Sequence, residues 1–392
     1  MGNKKGFLKG VLCGTLVTLV IAGAAGIYLK NAGYGTTIDK ETAHKLEKIR
    51  YLIDETYLKE DEIKNKDLSD YLLKGYVNGL KDPYSVYYNE KETKELYETT
   101  EGEYSGIGAV MSQNLETGVI TMVNIYENSP AEKAGFKNND ILYKVNGKDI
   151  STEDLSKVVN KIKGEEGTEV TITVLRDGKE FEATAVREKL EAHTVEYEMK
   201  EAQIGYIRIT EFDMVTYNQF VEAITDLKKQ GMKGMVIDLR GNPGGNLSTV
   251  CQMLDYVLPE GLIVYTEDKD GKREVMTSDE EHKLEIPMTV LVDGRSASAS
   301  EIFAGAVQDH KAGTLVGTTT YGKGVVQQLF DLKDGTCLKL TIAEYFTPNG
   351  RNIHRKGIKP DVEVEYKYDK NNAEADNQLE KAVEVLKEKM KQ

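Results

Sequence analysis

The sequence predicts an α/β protein of several domains. Strands alternate with helices between residues 200 and 365, short strands alternate with turns between 104 and 188, and helical periodicity dominates between 39 and 100. The chain has 392 residues, which is more than one ordinary domain needs. Its 30% charged and 40% hydrophobic residues are typical of a folded globular chain rather than a disordered one.

The composition excludes several function classes. Lysine and arginine number 51 and aspartate and glutamate 65, so the formal net charge of −14 argues against nucleic-acid binding. Three cysteines do not form a disulfide framework. The five histidines form no H-E-x-x-H motif and no cluster with cysteines. We therefore expect neither a metal site nor a cofactor.

The N-terminus contains an uncharged apolar stretch at residues 10–29, which is just long enough to span a bilayer as a helix. Three lysines precede it, and the first acidic residue is Asp39. By the positive-inside rule, residues 1–9 remain cytoplasmic and the rest of the chain is exported. A cleaved signal peptide ending near Ala22-Gly23-Ala24, and hence a secreted protein, is the alternative. We favour the anchor because the apolar run continues beyond that site.

Residues 30–103 are predicted to be helical. Apolar residues between Leu46 and Ile53 recur at helical spacing, and a second helix covers Asp67–Leu80 before Asp82-Pro83. This region is interpreted as a cap or dimerisation region. At the other end, residues 367–392 contain a final amphipathic helix.

Residues 104–188 contain short strands and three motifs: Ser129-Pro130-Ala131, Asp140-Ile141-Leu142 and Val145-Asn146-Gly147. This segment resembles a PDZ domain. The resemblance places the carboxylate-binding loop at Ser105, Gly106, Ile107 and Gly108. Consecutive backbone N–H groups in such a loop can bind the terminal carboxylate of a peptide.

Residues 189–366 alternate strands and helices, which predicts a mainly parallel sheet covered on both faces. A glycine-rich turn at Asp238–Asn246 leads from a buried strand into a helix. Its backbone N–H groups suit an anion, either a phosphate or an oxyanion.

A second strand-to-helix turn covers Asp293–Glu301 and contains three serines, Ser296, Ser298 and Ser300. A hydroxyl at the N-terminus of a helix lies near the positive end of the macrodipole, which favours a developing negative charge. Ser296 or Ser300 can instead serve as a helix cap.

Residues Gly317–Lys323 satisfy G-x-x-x-x-G-K, most of a phosphate-binding loop. Gly324 follows where that loop needs serine or threonine, and the next residues predict a strand, so nucleotide binding is rejected. Lys323 between two glycines is unusual. In a dry pocket its pKa would fall from about 10.4, which would free the amine to act as a base.

The chain as a whole resembles the C-terminal processing peptidases, also called tail-specific proteases. The resemblance rests on these stretches in the family's order: Asp82-Pro83-Tyr84-Ser85, the PDZ motifs, DLRGNPGG, SASASE, GKGVVQ and TPNGR. It implies a crotonase/Clp-protease-like α/β peptidase core over residues 189–366, an embedded PDZ domain, and cleavage of exported polypeptides recognised by their free C-terminal tails.

The resemblance also implies a serine–lysine dyad. Ser298 matches the family's nucleophile, Lys323 its general base, and Gln327 the residue that holds the lysine. The oxyanion donors would be the backbone N–H groups of Ala299 and of Gly244 or Gly245.

Two other function classes are disfavoured. A non-catalytic PDZ adaptor would have no need of this serine, lysine and glutamine together. A histidine-dependent hydrolase is disfavoured because His310 lies about 18 Å along the helix from Ser298. We expect a membrane-anchored homodimer with its catalytic domain outside the cytoplasm.

Overall fold

The computed structural model describes residues 38–281, 284–370, 372 and 375–391, in two compact units that divide after Leu72. In the first unit, α1 (Lys40–Thr56) begins where the Asp39 carboxylate accepts a hydrogen bond from Thr42 N. A 3₁₀ turn (Glu60–Glu62) and the start of α2 (Asn65–Asn78) follow. Within the described ranges we find no helix with the length and apolar character that a membrane span requires. The predicted anchor at residues 10–29 lies outside those ranges.

The second unit contains the end of α2, followed by β1 (Val86–Tyr88) and α3 (Glu90–Glu101). A capping box between Asn89 and Glu92 starts α3, and Gly102, with φ of +70°, ends it. The helical periodicity predicted for residues 39–100 is therefore confirmed, with β1 as an interruption.

The segment that resembles a PDZ domain forms an antiparallel sheet. Its elements are β2 (Glu103–Gly106), β3 (Ala109–Gln113), β4 (Ile120–Ile125), α4 (Pro130–Lys133), β5 (Ile141–Val145), β6 (Lys148–Asp149), α5 (Leu155–Ile162), β7 (Glu169–Arg176), β8 (Lys179–Val186) and β9 (Glu188–Glu191). The sheet order is β3-β4-β5-β7-β8, which leaves β3 at an edge. The entering strand β2 pairs with the leaving strand β9.

The remaining residues form an α/β core, on which the separately predicted C-terminal helix of residues 367–392 also packs. Its elements are β10 (Val195–Lys200), β11 (Ile204–Ile209), α6 (Thr216–Lys229), β12 (Gly234–Asp238), α7 (Leu247–Val257), β13 (Gly261–Asp268), β14 (Arg273–Ser278), β15 (Met288–Val292), α8 (Ala299–Asp309), β16 (Thr314–Gly317), β17 (Val325–Asp331), β18 (Cys337–Phe346), β19 (Val362–Glu363) and α9 (Asn377–Lys389).

One sheet of this core has the order β10-β11-β12-β15-β16-β19 and is parallel except at β10. Helices α6, α7 and α8 contribute Phe220, Val250 and Phe303 to the main hydrophobic core on one face. Helix α9 covers the other face with Ala382 and Leu386. The predicted parallel sheet with both faces covered is confirmed.

The second sheet is antiparallel. The sequence predicted two of its strands, the one after Lys323 and the one after the Lys333-Asp334-Gly335 turn, but not the whole sheet. This sheet has the order β1-β18-β13-β14, and β17 also pairs with β18. The Asp270-Gly271 turn between β13 and β14 is a hairpin signal that could have indicated it. The description of the core as mainly parallel is therefore corrected to one parallel and one antiparallel sheet.

Candidate active site

Two strand-to-helix turns meet because their strands are neighbours. Strands β12 and β15 pair in parallel, so their carboxyl ends lie at the same edge of the sheet. The turn after β15 then bonds to the turn after β12, with Ala297 N donating to Asn242 O at 3.1 Å. The glycine-rich turn and the serine-rich turn therefore form one wall.

The three serines of that wall have different environments. Ser296 Oγ donates to Leu239 O at 2.8 Å, and Ser300 Oγ donates to Asn242 O at 3.1 Å. Both residues are fully buried. Ser298 is half-buried and lines a cavity of about 610 Å³. Ser296 and Ser300 are thus structural, and Ser298 presents its side chain to the cavity.

Ser298 has a strained backbone, with φ of 54° and ψ of −114°. Such a conformation costs a non-glycine residue roughly 1–3 kcal/mol and often occurs at functional sites. A strained serine between a strand and a helix is also how α/β hydrolases expose their nucleophile. The conformation therefore fits the role that the resemblance gives to Ser298.

The candidate oxyanion donors are distinguished by their hydrogen bonds. Gly244 N donates to Asn242 Oδ1 at 2.8 Å, so that N–H is already engaged. In the part of the chain that the structure describes, the N–H groups of Gly245 and Ala299 make no hydrogen bond. Both residues line the cavity. Between the two glycines that the sequence left open, the geometry favours Gly245.

Gly244 has a packing role instead. A Cβ at this position, where φ is +105°, would lie 2.7 Å from Ser298 Cβ and 2.9 Å from Ala299 N. No side chain fits there, which explains why the turn needs glycine beside the serine.

Glu301 was not predicted as a site residue, yet it links both halves of the site. Its carboxylate is fully buried, and Oε2 accepts from Ser298 N at 2.9 Å and from Lys323 N at 2.8 Å. Oε1 accepts from Thr320 Oγ1 at 2.6 Å and from Gly322 N at 2.7 Å. Burial raises the pKa of Glu301, and these hydrogen bonds oppose that rise. Its position three residues after Ser298 matches the capping-box pattern, a signal that could have identified it.

Lys323 is half-buried in the same cavity. Burial, followed by the charge of Lys339, lowers the pKa of Lys323, while Glu301 and Asp82 oppose the decrease. Its Nζ lies 5.0 Å from the centroid of the Tyr84 ring. Partial burial therefore favours the neutral amine of this lysine.

Gln327 also lines the cavity and is anchored from β18. Its Nε2 donates to Thr341 Oγ1 at 3.2 Å. Thr341 N in turn donates to Ser85 Oγ at 3.1 Å, and Ser85 Oγ donates to Asp82 Oδ2 at 2.6 Å. The Asp82–Ser85 segment, to which the sequence gave no role, thus supports the position of Gln327.

The structure brings Ser298, Lys323 and Gln327 to one cavity without bonding them to each other. Among the residues described, no hydrogen bond joins Ser298 Oγ to Lys323 Nζ or Lys323 Nζ to Gln327. Catalytic contacts are often long in enzymes without substrate and tighten when it binds.

The predicted carboxylate-binding loop lies apart from this cavity. Ser105 and Gly106 end β2, and Ile107 is buried in the core of the small antiparallel sheet. The N–H groups of Ile107 and Gly108 have no acceptor within the described ranges. Ser105 lines a different cavity of about 600 Å³. Of the four residues, Ile107 and Gly108 therefore keep free N–H groups between two strands.

His310 is the C-cap of α8, and its Nε2 contacts Leu262 O at 2.7 Å. It is not a lining residue of the cavity. Across the described ranges, no group of three or more His, Cys, Asp or Glu side chains could hold a metal ion.

Three family models match the sequence. Residues 203–364 match peptidase family S41, residues 121–176 match a PDZ domain, and residues 22–93 match the N-terminal domain of the activating protease CtpB.

Related proteins align with most of the chain. It is 36% identical over 360 residues to the carboxy-terminal processing protease CtpA of Bacillus subtilis strain 168, covering 89% of this chain and 76% of that protein. It is 37% identical over 361 residues to a probable CtpA-like serine protease of Staphylococcus aureus strain COL. That alignment covers 91% of this chain and 72% of the other protein.

Solved structures share the fold. The photosystem II D1 C-terminal processing protease matches with a TM-score of 0.50 and 26% identity, over 89% of this chain and 98% of that one. An S41 protease from Bacteroides fragilis NCTC 9343 matches with a TM-score of 0.53 and 17% identity. The match covers 87% of this chain and 97% of that one, and it supports the fold alone.

We expect Glu301→Gln to reduce kcat about a hundredfold, because an NH₂ group would face backbone N–H donors and displace the turns that carry Ser298 and Lys323. The melting temperature should fall by several degrees, since a buried hydrogen-bond partner is lost. Steady-state kinetics with a casein substrate and a thermal melt measure both effects. The exposed Glu280→Gln is the matched control. Unchanged kcat in Glu301→Gln would show that this carboxylate does not position the site.

Proposed function

The chain belongs to peptidase family S41 and is a serine-type carboxy-terminal processing protease with a PDZ domain, and on this premise we propose that Ser298 is its nucleophile and Lys323 its general base. The observation that supports the proposal most directly is the shared cavity, in which a strained serine and a lysine of lowered pKa are both half-buried.

In the proposed mechanism, the neutral amine of Lys323 takes the proton from Ser298 Oγ, which attacks the peptide carbonyl carbon. The N–H groups of Gly245 and Ala299 stabilise the oxyanion that forms. Lys323 then donates its proton to the leaving amine, and the peptide C–N bond breaks. Water hydrolyses the acyl-enzyme with Lys323 again as the base, which restores Ser298.

Gln327 orients the lysine in this scheme. Its Nε2 is committed to Thr341, so the Oε1 atom is the one that remains to accept a hydrogen bond from the Lys323 ammonium. A fixed acceptor limits the rotamers of a long, flexible side chain and thereby aids proton transfer.

We expect Ser298→Ala and Lys323→Met each to lower cleavage of an unfolded polypeptide by about a thousandfold or more, because each removes a group that acts in the chemical step. Lys269→Met, on an exposed turn, should leave the rate unchanged. Circular dichroism should show the wild-type fold in all three variants. Substantial cleavage by Lys323→Met in a correctly folded protein would refute the dyad.

The pH profile tests the same lysine independently. Only the neutral amine is a base, so kcat/KM should rise with pH through the pKa of Lys323. Burial and the Lys339 charge lower that pKa, so the midpoint should lie below the ordinary lysine value of about 10.4. Rates measured between pH 5 and 10 on a peptide without titratable side chains would reveal the midpoint. A profile that stays flat over this range excludes Lys323 as the base.

We also propose that the PDZ domain binds the free C-terminus of the substrate. The unbonded N–H groups of Ile107 and Gly108 would receive the carboxylate, and the edge strand β3 would pair with the peptide backbone. Tighter binding of a peptide with a free C-terminus than of its amidated form would support this assignment, and equal binding would refute it.

We further propose a membrane-anchored dimer whose catalytic part lies outside the cytoplasm. The uncharged stretch at residues 10–29 after three lysines supports the anchor. Helix α1 supports the dimer, since none of its residues is buried and Ile49 and Leu52 are 54% and 46% exposed. The anchor is supported if the full chain resists alkaline extraction from membranes. The dimer is supported if the wild type is dimeric in detergent and Leu52→Lys has a monomeric mass. Release of the protein from membranes at alkaline pH would contradict the anchor, and a monomeric wild type would contradict the dimer.

A further inference from the structure

The cavity that contains Ser298 is positively charged, although the chain carries a net charge of −14. Among the described residues, two lysines, Lys323 and Lys339, line it, and no aspartate or glutamate does. The rest of the lining is mostly apolar and includes Leu247, Cys251, Met276, Ile302, Val326 and Leu329. The charge of the cavity is therefore opposite to that of the whole chain.

The acidic side chains that act electrostatically on Lys323 lie outside the lining of the cavity. Glu301 and Asp82 influence the pKa of Lys323, but neither lines the cavity. The Glu301 oxygens accept four hydrogen bonds from two turns, and the Asp82 oxygens accept from Ser85 Oγ and Tyr84 N. Both carboxylates therefore accept hydrogen bonds from groups of the protein.

Lys339 has no carboxylate partner within ion-pair distance in the described part of the chain. It is half-buried on β18, and its Nζ lies 5.3 Å from the centroid of the Tyr88 ring. Many other lysines do have such a partner; Lys333 Nζ, for example, lies 2.8 Å from Asp331 Oδ2. A half-buried ammonium group in a substrate cavity without a counter-ion is suited to bind an anion from the substrate.

We propose that Lys339 binds a carboxylate of the polypeptide substrate close to the scissile bond, so that the protease favours acidic groups there. This inference rests on the proposed function, because the cavity must be the place where Ser298 acts. The carboxylate is either an aspartate or glutamate side chain or the terminal carboxylate of a short tail, and both present the same chemistry to the lysine.

The two lysines then have separate tasks. Lys323 must lose its proton to act as a base, so it cannot hold a substrate anion during attack. Lys339 has no part in the proposed proton transfer and can pair with the substrate. The charge-assisted contact in a half-buried cavity should change kcat/KM by about tenfold.

The experiment compares peptides that differ by one charge. Fluorogenic peptides with the same long free C-terminal tail carry either Glu or Gln at each of the three positions on both sides of the cleaved bond. A second pair, ending two residues after that bond, has either a free or an amidated C-terminus. The readout is the ratio of kcat/KM within each pair, which cancels any change in the reactivity of Lys323 within one variant.

If Lys339 binds a side chain, the wild-type enzyme should favour Glu over Gln about tenfold at one or more positions. If Lys339 binds the C-terminus, the enzyme should favour the peptide with the free end over the amidated one by a similar factor. Lys339→Met should bring that ratio close to one. Lys339→Arg should retain it, and so should Lys269→Met, which removes an exposed charge. A loss of overall rate without a change in the ratio would show that Lys339 is merely structural.

The inference is overturned if both ratios are close to one in the wild type, or if the preference persists in Lys339→Met. Its failure is distinguishable from failure of the dyad. Cleavage of the neutral Gln peptide that disappears in Ser298→Ala supports the proposed function whatever the ratios are.

Discussion

The buried carboxylate of Glu301 is the constraint on which the site depends. A charge without access to water must have its hydrogen bonds satisfied by the protein. Here the donors come from the start of α8 and from the turn before β17, including Ser298 N and Lys323 N. Movement of either turn would leave the buried charge partly unpaired. The backbones of the proposed nucleophile and base are thus fixed to one group, although their side chains do not bond to each other.

Strand β18 supplies the second constraint. It pairs with β17, which carries Gln327, and with β1, which directly follows the segment containing Tyr84 and Ser85. Thr341 on β18 bonds to both Gln327 and Ser85. Residues more than 200 positions apart are therefore held at one side of the cavity. The antiparallel sheet positions the lysine side of the site, and the parallel sheet positions the serine side.

The sequence predicted the helices and strands better than the way in which they connect. Strong periodicity located the helices, and glycine-rich and serine-rich turns marked the wall of the cavity, because such turns must follow buried strands. The sequence predicted β17 and β18 as strands on either side of a turn. It did not predict the sheet that they form with β1, β13 and β14, because the pairing of β18 with β13 is non-local. The choice between Gly244 and Gly245 depended on the hydrogen bond that Gly244 N donates to Asn242 Oδ1. The choice among the three serines depended on their burial. Hydrogen bonds and burial of this kind depend on the tertiary structure, and local sequence patterns do not predict them.

The absence of carboxylates from the described lining of the cavity is a requirement of lysine chemistry. A carboxylate facing Lys323 would stabilise its ammonium form and keep the base protonated at neutral pH. Glu301 and Asp82 are the carboxylates that oppose the decrease in the pKa of Lys323, and neither of them lines the cavity. Lys339 adds a second positive charge that favours loss of the Lys323 proton. The arrangement that produces a neutral base thus also produces an electropositive cavity, and a cavity of that charge discriminates among substrates by the charge they carry.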